Sequence, residues 1–312
     1  MTTHKPAAQD AGDILVIGSI NSDLVIRVPT LPAPGETVLG TGFARYAGGK
    51  GANQAVAAAR LGARVRMVGN LGTDSFGDEA LTGLQRENID CSYVARDPLQ
   101  PSGLAFINVA DSGENQITVA PGANRTLSVK EVEKAIAGAA ADTILLIQLE
   151  IPLPLVEQSV AFAASKRIRV ILDPAPAQPL SSKLLQNLFL LTPNQTEAEI
   201  LSGLKIDTVN SAFEAARLLI RHGVENVVIT LGEKGAVIAN SQADRLVVPP
   251  SVTTIDTTAA GDCFNGALAV ALSRNQTLDD AVEFACSAAS IAVTKAGAQS
   301  SMPTLADLKL TR

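Results

Sequence analysis

Aromatic residues and basic charge are scarce in this chain of 312 residues. Aromatic side chains make up 3% of the sequence and tryptophan is absent, which argues against the stacking platforms that bind single-stranded nucleic acid. Acidic residues outnumber basic residues by 31 to 25, and a net charge of −6 lacks the basic footprint that phosphate backbones require. We therefore expect no nucleic-acid partner.

Cysteine and histidine are also rare. The three cysteines, Cys91, Cys263 and Cys286, have no metal-ligand spacing and leave one thiol unpaired in any disulfide scheme. This usage fits a reducing compartment, so we expect the cytoplasm. His4 lies near the N-terminus and His222 precedes a glycine at a predicted helix end, which excludes most histidine-dependent catalysis.

Long apolar runs are missing as well. No segment reaches the roughly 18 continuous apolar residues of a membrane span, and we expect no membrane partner. Residues 1–13 are polar and lack the apolar centre of a secretory signal, so we interpret them as a disordered tail. With 46% hydrophobic and 18% charged residues, the remaining residues 14–312 read as one globular domain.

What the chain does contain is an alternation of strand-like and helix-like segments. The apolar run at residues 14–20 is typical of a strand buried on both faces. Further strands are predicted at residues 63–68, 143–148, 168–173, 188–191 and 227–231. Helices are predicted at residues 52–61, 75–88, 129–139, 153–166, 195–203 and 211–222, and near 261–273 and 278–294. This order predicts an α/β fold with a mostly parallel sheet between two helical layers.

Two β-rich segments interrupt the alternation, at about residues 21–46 and 96–120. Strand character appears at residues 23–28 and 36–46, and residues 103–109 and 115–120 read as a hairpin around a turn at 111–114. We expect the two segments to pair into one small sheet. Such a sheet beside a binding crevice would act as a lid that excludes water.

Polar or glycine-containing segments follow several predicted strands. They are residues 18–21, Glu150, Asp173, Asn194 and residues 230–232. In an open α/β sheet, ligands bind beyond the carboxyl ends of the strands, so we expect these positions to meet at one crevice.

The segment at residues 256–266 is the most informative in the chain. It reads as a strand end, a turn of small residues and a helix start, so the N–H groups of Ala260, Gly261 and Asp262 can point at one anion. A carboxylate beside an anion suggests phosphoryl transfer to a hydroxyl, with Asp262 accepting the proton. We expect the helix N-terminus to favour the ionised form of Asp262. The alternative is that Asp262 is an ordinary helix N-cap.

The glycine-rich segment at residues 47–54 leads into a helix. It is not a P-loop, because Gly51 follows Lys50 where Ser or Thr is required. It is not a dinucleotide fingerprint, because Gln54 replaces the third glycine. Either a ligand approaches this backbone closely, with Asn53 as a polar contact, or the segment is a hinge between lid and core.

Three weaker patterns remain open between a functional and a structural interpretation. Asn21 and Asp23 suit neighbouring sugar hydroxyls, or a turn. Residues 194–197 suit a helix capping box, or place Glu197 near phosphate-bound Mg²⁺ through water. Residues 230–235 suit a turn between two strands that also passes the phosphates of a nucleotide.

Together these residues resemble the ribokinase family of carbohydrate kinases. The two glycine-containing signatures, at residues 48–54 and 256–266, flank residues 194–197 in the family's order, and the resemblance covers nearly the whole chain after residue 13. It implies a ribokinase-like three-layer α/β/α core with a small β lid, ATP as phosphoryl donor, Mg²⁺, a monovalent cation, usually K⁺, and a homodimer formed through the lids.

The resemblance also implies a set of site residues. The catalytic base would be Asp262, and the anion hole would comprise Ala259, Ala260, Gly261 and Asp262. The sugar would contact Asn21, Asp23, Gly49, Lys50, Asn53, Glu150 and Asp262. The nucleotide would contact Asn194, Glu197, Thr230, Gly232, Gly235, Gly261 and Cys286. The monovalent cation would bind at Asp256, Thr258, Ala292, Lys295, Gly297 and Ser301. Three of these positions depart from the family, because Thr258 and Lys295 replace Ile and Arg of well-known members, and Cys286 stands where some relatives have His or Asn.

The expected reaction is transfer of the γ-phosphoryl group of MgATP to O5 of D-ribose. A related kinase acting on 2-deoxyribose, another sugar or a nucleoside is the nearest alternative. Few aromatic residues in the lid disfavour a nucleoside, and Asn21 with Asp23 favours a sugar with adjacent hydroxyls. A non-catalytic sugar-binding protein is a different class, against which Asp262 argues.

Overall fold

The computed structural model describes residues 12–309, which form a large central sheet, a smaller sheet and helices on both faces of the large one. The predicted disordered tail lies outside the described residues up to residue 11, as does His4. The last residue of the predicted tail, Asp13, is instead the first residue of strand β1 (Asp13–Ile17). No helix among residues 12–309 is long and apolar enough to cross a membrane.

The central sheet has nine strands. Their spatial order is β13 (Asp244–Val247), β12 (Ala236–Asn240), β11 (Asn226–Thr230), β10 (Leu190–Leu191), β9 (Arg169–Leu172), β8 (Ile144–Ile147), β1 (Asp13–Ile17), β4 (Arg64–Gly72) and β5 (Asp90–Asp97). All neighbouring strands are parallel except β11 with β12 and β12 with β13. This confirms the predicted mostly parallel sheet.

Helices cover both faces of this sheet and complete three layers. One layer contains α1 (Lys50–Arg60), α2 (Ser75–Arg86), α8 (Ala260–Ser273), α9 (Leu278–Ala292) and α10 (Leu305–Lys309). The other contains α3 (Val129–Ala137), α4 (Leu153–Ser165), α5 (Ser182–Leu185), α6 (Gln195–Ser202) and α7 (Val209–Arg221). Strand β1 shows why its sequence is continuously apolar: Ile14 and Val16 pack on the first layer, and Leu15 and Ile17 pack on the second.

The smaller sheet is the predicted lid. Its spatial order is β3 (Gly42–Gly48), β2 (Asn21–Val28), β6 (Gly103–Ala110) and β7 (Asn115–Ala120), with β2 and β6 parallel. Two segments far apart in sequence therefore pair, and the hairpin of β6 and β7 is confirmed. Residues 36–41 are not strand, so β3 begins later than expected.

Strand β5 was not predicted, and its last two residues overlap the expected start of the second lid segment. It is an edge strand of the central sheet with intermediate exposure along most of its length. Its sequence is mainly polar, because an edge strand needs no continuous apolar run.

The lid joins the core at a junction of close backbone contacts. Strand β3 ends at Gly48 and α1 begins at Lys50, with Gly49 between them at φ +88°. A Cβ atom on Gly49 would lie 2.6 Å from the Asn21 nitrogen, so glycine is required by both conformation and space. The junction places the start of α1 against the start of the lid.

Candidate active site

The first turns of α1 and α8 meet beyond the carboxyl ends of the central strands. Gly266 lets the two helices approach, because a Cβ atom there would lie 2.8 Å from the Gln54 carbonyl oxygen. This contact brings Asn53 and Gln54 of α1 within reach of Asp262 of α8. Asn53 Nδ2 donates to Asp262 Oδ2 at 2.8 Å, and Gln54 Nε2 donates to Asp262 Oδ1 at 3.1 Å.

Asp262 is buried, with 5% of its surface exposed. Burial raises the pKa of its carboxyl, and the negative charge of Glu150 adds to the rise. Lys50 and the amides of Asn53 and Gln54 oppose the shift without cancelling it. The expectation that the helix N-terminus makes Asp262 a mild, readily ionised base is therefore wrong in direction, because desolvation dominates.

The start of α8 forms only part of the expected anion hole. Ala259 is the N-cap in a left-handed conformation with φ 58°, and α8 begins at Ala260. The N–H of Ala260 already donates to the Thr257 carbonyl at 3.2 Å. The N–H groups of Gly261 and Asp262 lie in the first turn, where helices leave such donors without an internal acceptor. Asp262 is the third residue of the helix, so the N-cap alternative is wrong.

The predicted sugar residues lie around one carboxylate, that of Glu150. Its Oε2 atom accepts from Ser19 Oγ at 2.5 Å, from the Lys50 backbone N–H at 3.2 Å and from Asn21 Nδ2 at 3.4 Å. The structure thus brings together Asn21, Lys50 and Glu150 from the lid, α1 and the loop after β8. Asn21 begins strand β2, so the turn interpretation of this pair is wrong.

Asp23 completes the acidic side of this crevice. A Cβ atom on Gly48 would lie 2.3 Å from both Asp23 carboxylate oxygens, so the missing side chain makes room for the carboxyl. Burial raises the pKa of Asp23 to about 6, helped by the charges of Glu150 and Asp262. Burial opposes the charge on Lys50, but the carboxylates of Asp262, Asp173, Glu150 and Glu197 outweigh it and raise the Lys50 pKa. Lys50 is therefore a cation held among acids.

Several polar residues of this region were given no ligand role by the sequence, although Ser19 and Asp173 were expected at the crevice. Asn124 Nδ2 donates to Asn21 Oδ1 at 2.7 Å, which turns the Asn21 amide nitrogen toward Glu150. Ser19 holds Glu150, and Gln54 bonds both Asp262 and Asp173. Gln54 lies within the glycine-rich segment and Asp173 follows a strand, which are available signals. Asn124 lies about a hundred residues from its partners and carries no local signal.

A cavity of about 610 Å³ opens beside the start of α8. Of the predicted nucleotide residues, it is lined by Thr230, Gly232, Gly235, Gly261 and Cys286. The turn between β11 and β12 forms one wall, as predicted for residues 230–235. Asn194 is not in the lining, but it forms an isolated parallel bridge with Thr230. The segment 248–252, which carried no sequence signal, also lines the cavity, as does Phe264.

Residues 194–197 form the predicted capping box. Asn194 Oδ1 accepts from the Glu197 N–H at 2.9 Å, and Glu197 Oε2 accepts from the Asn194 N–H at 2.8 Å. The cap uses one carboxylate oxygen of Glu197 and leaves Oε1 for another ligand. No group of three or more His, Cys, Asp or Glu side chains within residues 12–309 is arranged to hold a metal ion. The Oε1 atom of Glu197 is an oxygen donor, the type of ligand that Mg²⁺ takes together with phosphates and water.

Asp256 ties together the two segments of the predicted monovalent-cation site. Its Oδ1 accepts from the Thr258 N–H and its Oδ2 from the Gly297 N–H, each at 2.8 Å. Burial opposes its charge, but these hydrogen bonds lower the pKa of Asp256. Ala292 and Lys295 belong to one turn, since the Ala292 carbonyl accepts a hydrogen bond from the Lys295 N–H. Ser301 is buried and donates to the Ala298 carbonyl. A carboxylate and adjacent backbone carbonyls are oxygen donors that suit a hard cation.

Comparisons with known proteins agree with this geometry. The pattern of the pfkB family carbohydrate kinases matches residues 11–305. The chain is 46% identical to a ribokinase of Haemophilus influenzae over 93% of its length and 95% of that protein. It is 36% identical to a deoxyribokinase of Salmonella typhi over 94% of its length and 96% of that protein. Among solved structures, an Arabidopsis thaliana ribokinase complexed with ribose and ATP matches with a TM-score of 0.87 and 30% identity, over 96% of this chain and 98% of that one.

Proposed function

The chain belongs to the pfkB family of carbohydrate kinases, and we propose that it transfers the γ-phosphoryl group of ATP to O5 of D-ribose with Asp262 as general base. The O5 hydroxyl gives its proton to Asp262 as O5 bonds to the γ-phosphorus, and the bond to the departing ADP breaks in line. The transition state of such a transfer is loose, so a weak base suffices and positioning supplies most of the rate.

One observation carries this proposal. The Asp262 carboxylate is held by Asn53 and Gln54 at the point where the start of α8 meets the start of α1. The cavity of about 610 Å³ is lined by Gly261, which precedes Asp262, and the Glu150 and Asp23 carboxylates are close enough to interact electrostatically with Asp262. A hydroxyl between these acids would have Asp262 within reach and the Gly261 and Asp262 N–H groups available for the transferred phosphoryl group.

The sugar side of the crevice supports a polyhydroxylated substrate. Asn53 Oδ1 is buried and has no hydrogen-bond partner among the described residues, so it is an acceptor suited to a ligand hydroxyl. Lys50, Asn21, Asp23, Glu150 and the N–H of Gly49 would supply the remaining contacts. Such a set fits a small sugar better than an apolar or charged metabolite.

Ribose is favoured over 2-deoxyribose by the fixed amide of Asn21. Asn124 sets the orientation of this amide and Glu150 lies beside it. These groups would stay partly unpaired against a sugar that lacks one of two adjacent hydroxyls, and unpaired buried groups penalise the wrong substrate. The Salmonella typhi relative, a deoxyribokinase, makes 2-deoxyribose the acceptor to test against.

Two ions fit the remaining residues. Glu197 would hold a hydrated Mg²⁺ through water, with its free carboxylate oxygen, and Asn194, Thr230, Gly232, Gly235 and Cys286 would line the nucleotide. Mg²⁺ neutralises phosphate charge when bound. The turn at Asp256, Thr258, Ala292, Lys295, Gly297 and Ser301 would hold K⁺ behind the start of α8. Side-chain changes at Thr258 and Lys295 leave backbone carbonyl ligands intact.

The lid would also form the contact of a homodimer. A row of apolar side chains crosses all four lid strands: Ala44, Val25, Ile107 and Ile117 are neighbours in register. These residues share the face of β2 that carries Asp23, since alternate residues of a strand face the same side. Ile117 is 54% exposed, so this face has apolar area for a second copy of the chain to cover.

The first experiment is an ADP-release assay with MgATP and four acceptors: D-ribose, 2-deoxy-D-ribose, D-fructose and adenosine, each with and without K⁺. We expect strong turnover on D-ribose that K⁺ stimulates. Preference for another acceptor would replace the substrate and keep the kinase. Sugar binding by calorimetry without turnover on any acceptor would instead indicate a binding protein.

A further inference from the structure

A buried pair of glutamine amides lies behind Asp262. Gln54 and Gln148 are both fully buried. Gln148 Nε2 donates to Gln54 Oε1 at 2.6 Å, which fixes the orientation of the Gln54 amide. The Gln54 nitrogen must therefore point away from Gln148, toward the acids at the ends of the strands.

Gln54 uses both of its N–H groups on carboxylates. One bond goes to Asp173 Oδ2 at 2.8 Å and the other to Asp262 Oδ1 at 3.1 Å. Asp173 follows β9, Asp262 lies in the first turn of α8 and Gln54 belongs to α1, so a single neutral amide links three elements. Asp173 is also buried, with 5% of its surface exposed.

We infer that Gln54 is a positioning residue of the phosphoryl-transfer site, which orients the Asp262 carboxylate and stabilises its negative charge through a hydrogen bond. This inference rests on the proposed role of Asp262 as base. With Oδ1 held by Gln54 and Oδ2 by Asn53, the carboxyl plane cannot rotate freely. The two α1 side chains thereby determine the direction of the Asp262 lone pair that would accept the proton of the substrate hydroxyl.

The charges around Asp262 explain why a neutral donor is needed. Lys50 is the neighbouring cation that favours its ionised form, while Glu150, Asp173, Asp23 and Glu197 are neighbouring acids. Two carboxylates close together cannot both ionise without stabilisation. Burial raises the pKa of both Asp173 and Asp262, and the Gln54 hydrogen bonds act against that rise in each of them. The amide therefore stabilises negative charge on this pair of buried acids, including the carboxylate of Asp262.

The test is the pH profile of kcat for Gln54→Met, which keeps the side-chain length and removes both donors. A hydrogen bond to a charged group favours that group by enough to shift a titration by roughly one to two pH units. We expect the acid limb of the kcat profile to move up by about one unit. The ratio of wild-type to variant kcat should be about tenfold or more below the limb and shrink toward one at alkaline pH. The KM for the sugar should change less than about threefold.

Two further variants separate positioning from folding. Gln148→Met removes the donor that fixes the Gln54 amide, and we expect a smaller shift of the limb in the same direction. Val56→Ala is the structural control, because Val56 is a fully buried residue of the same helix that packs in the apolar core away from the acids. It should lower the melting temperature and leave the limb in place.

Asp262→Asn, measured alongside, separates the base assignment from the role of Gln54. If Asp262→Asn keeps near-normal kcat, the base assignment fails and the inference about Gln54 falls with it. If Asp262→Asn loses activity but Gln54→Met and Gln148→Met lower kcat by the same factor at every pH, Gln54 is a structural residue and only this inference is overturned.

Discussion

At the scale of single residues, the proposed chemistry depends on one buried carboxylate. Asp262 is desolvated, which raises its pKa, and three neighbours, Lys50, Asn53 and Gln54, act against that rise. A base whose pKa lies closer to neutral accepts a proton more readily than an exposed carboxylate does. Burial at this position therefore increases the basicity that the proposed reaction uses.

Asp262→Ala is expected to lower kcat by roughly 10² to 10⁴-fold, the usual contribution of a positioned general base. The sugar and ATP KM values should change little, because Asn53, Lys50 and Glu150 remain. Steady-state kinetics with D-ribose would measure both. Turnover close to that of the wild-type protein would remove Asp262 from the role.

Asp23 predicts a pH dependence of sugar affinity. Its pKa is raised to about 6, so the carboxylate that would accept hydroxyl hydrogen bonds is present above pH 6 and is lost as the pH falls through that value. We expect ribose affinity, measured by calorimetry without nucleotide, to fall by about tenfold between pH 7.5 and 5, since bonds to charged groups are strong.

Asp23→Asn is the matched control for this measurement, because the amide has nearly the same shape and does not titrate. The variant should bind ribose more weakly than the wild-type protein at pH 7.5 and show a flat profile between pH 5 and 7.5. A wild-type profile that is equally flat would exclude Asp23 as a sugar ligand.

At the scale of elements, the start of α1 is where fold and site meet. Gly51 packs against the backbone that follows β1, since a Cβ atom there would lie 2.7 Å from the Gly18 carbonyl carbon and 2.8 Å from the Ser19 nitrogen. Backbone atoms cannot move aside as a side chain does. This contact determines how far the start of α1, which carries Lys50 and Asn53, extends into the crevice.

Gly51→Ala is therefore expected to displace α1, to destabilise the protein by about 1–3 kcal/mol and to raise the sugar KM. Gly83→Ala is the control, because Gly83 lies in α2 and a Cβ atom added there would meet nothing within 4 Å. That change should stabilise by about 0.5–1 kcal/mol and leave KM unchanged. Urea unfolding and sugar kinetics would measure both variants. Equal effects of the two substitutions would contradict the importance of the close contact at Gly51.

At the scale of the whole molecule, the lid is a four-stranded sheet attached to the core by few segments. Its outermost strand, β7, is exposed along its whole length. An exposed sheet that carries an apolar row is rarely left uncovered. The proposed dimer would cover this face, which adjoins the sugar site through Asp23.

Ile117→Asp is expected to convert the proposed dimer into a monomer, because it would bury a charge within the proposed contact. Leu99→Asp is the control, since Leu99 is 86% exposed and lies outside the lid strands. Light scattering after size-exclusion chromatography would give the mass of each variant. A wild-type protein that is monomeric at all concentrations, or an Ile117→Asp variant that remains dimeric, would refute the lid contact.

The sequence by itself determined the elements and the neighbourhood of the site. Periodic apolar patterns specify which segments become strands and helices, and they correctly predict the three layers and the pairing of two distant β segments as a lid. The glycine-rich starts of α1 and α8 mark the places where we propose that ligands approach the backbone. These features are local, so they can be read from a short window of residues.

Only the tertiary structure decided which polar atoms meet and how they titrate. Gln54, Asp173 and Asp262 come from three elements, and their bonds span more than a hundred residues. The sequence indicated an ionised Asp262 at a helix start, but packing buried the carboxyl and reversed the direction of its pKa shift. Burial and long-range hydrogen bonding depend on how the elements pack, and a local sequence pattern does not encode contacts between residues so far apart in the chain.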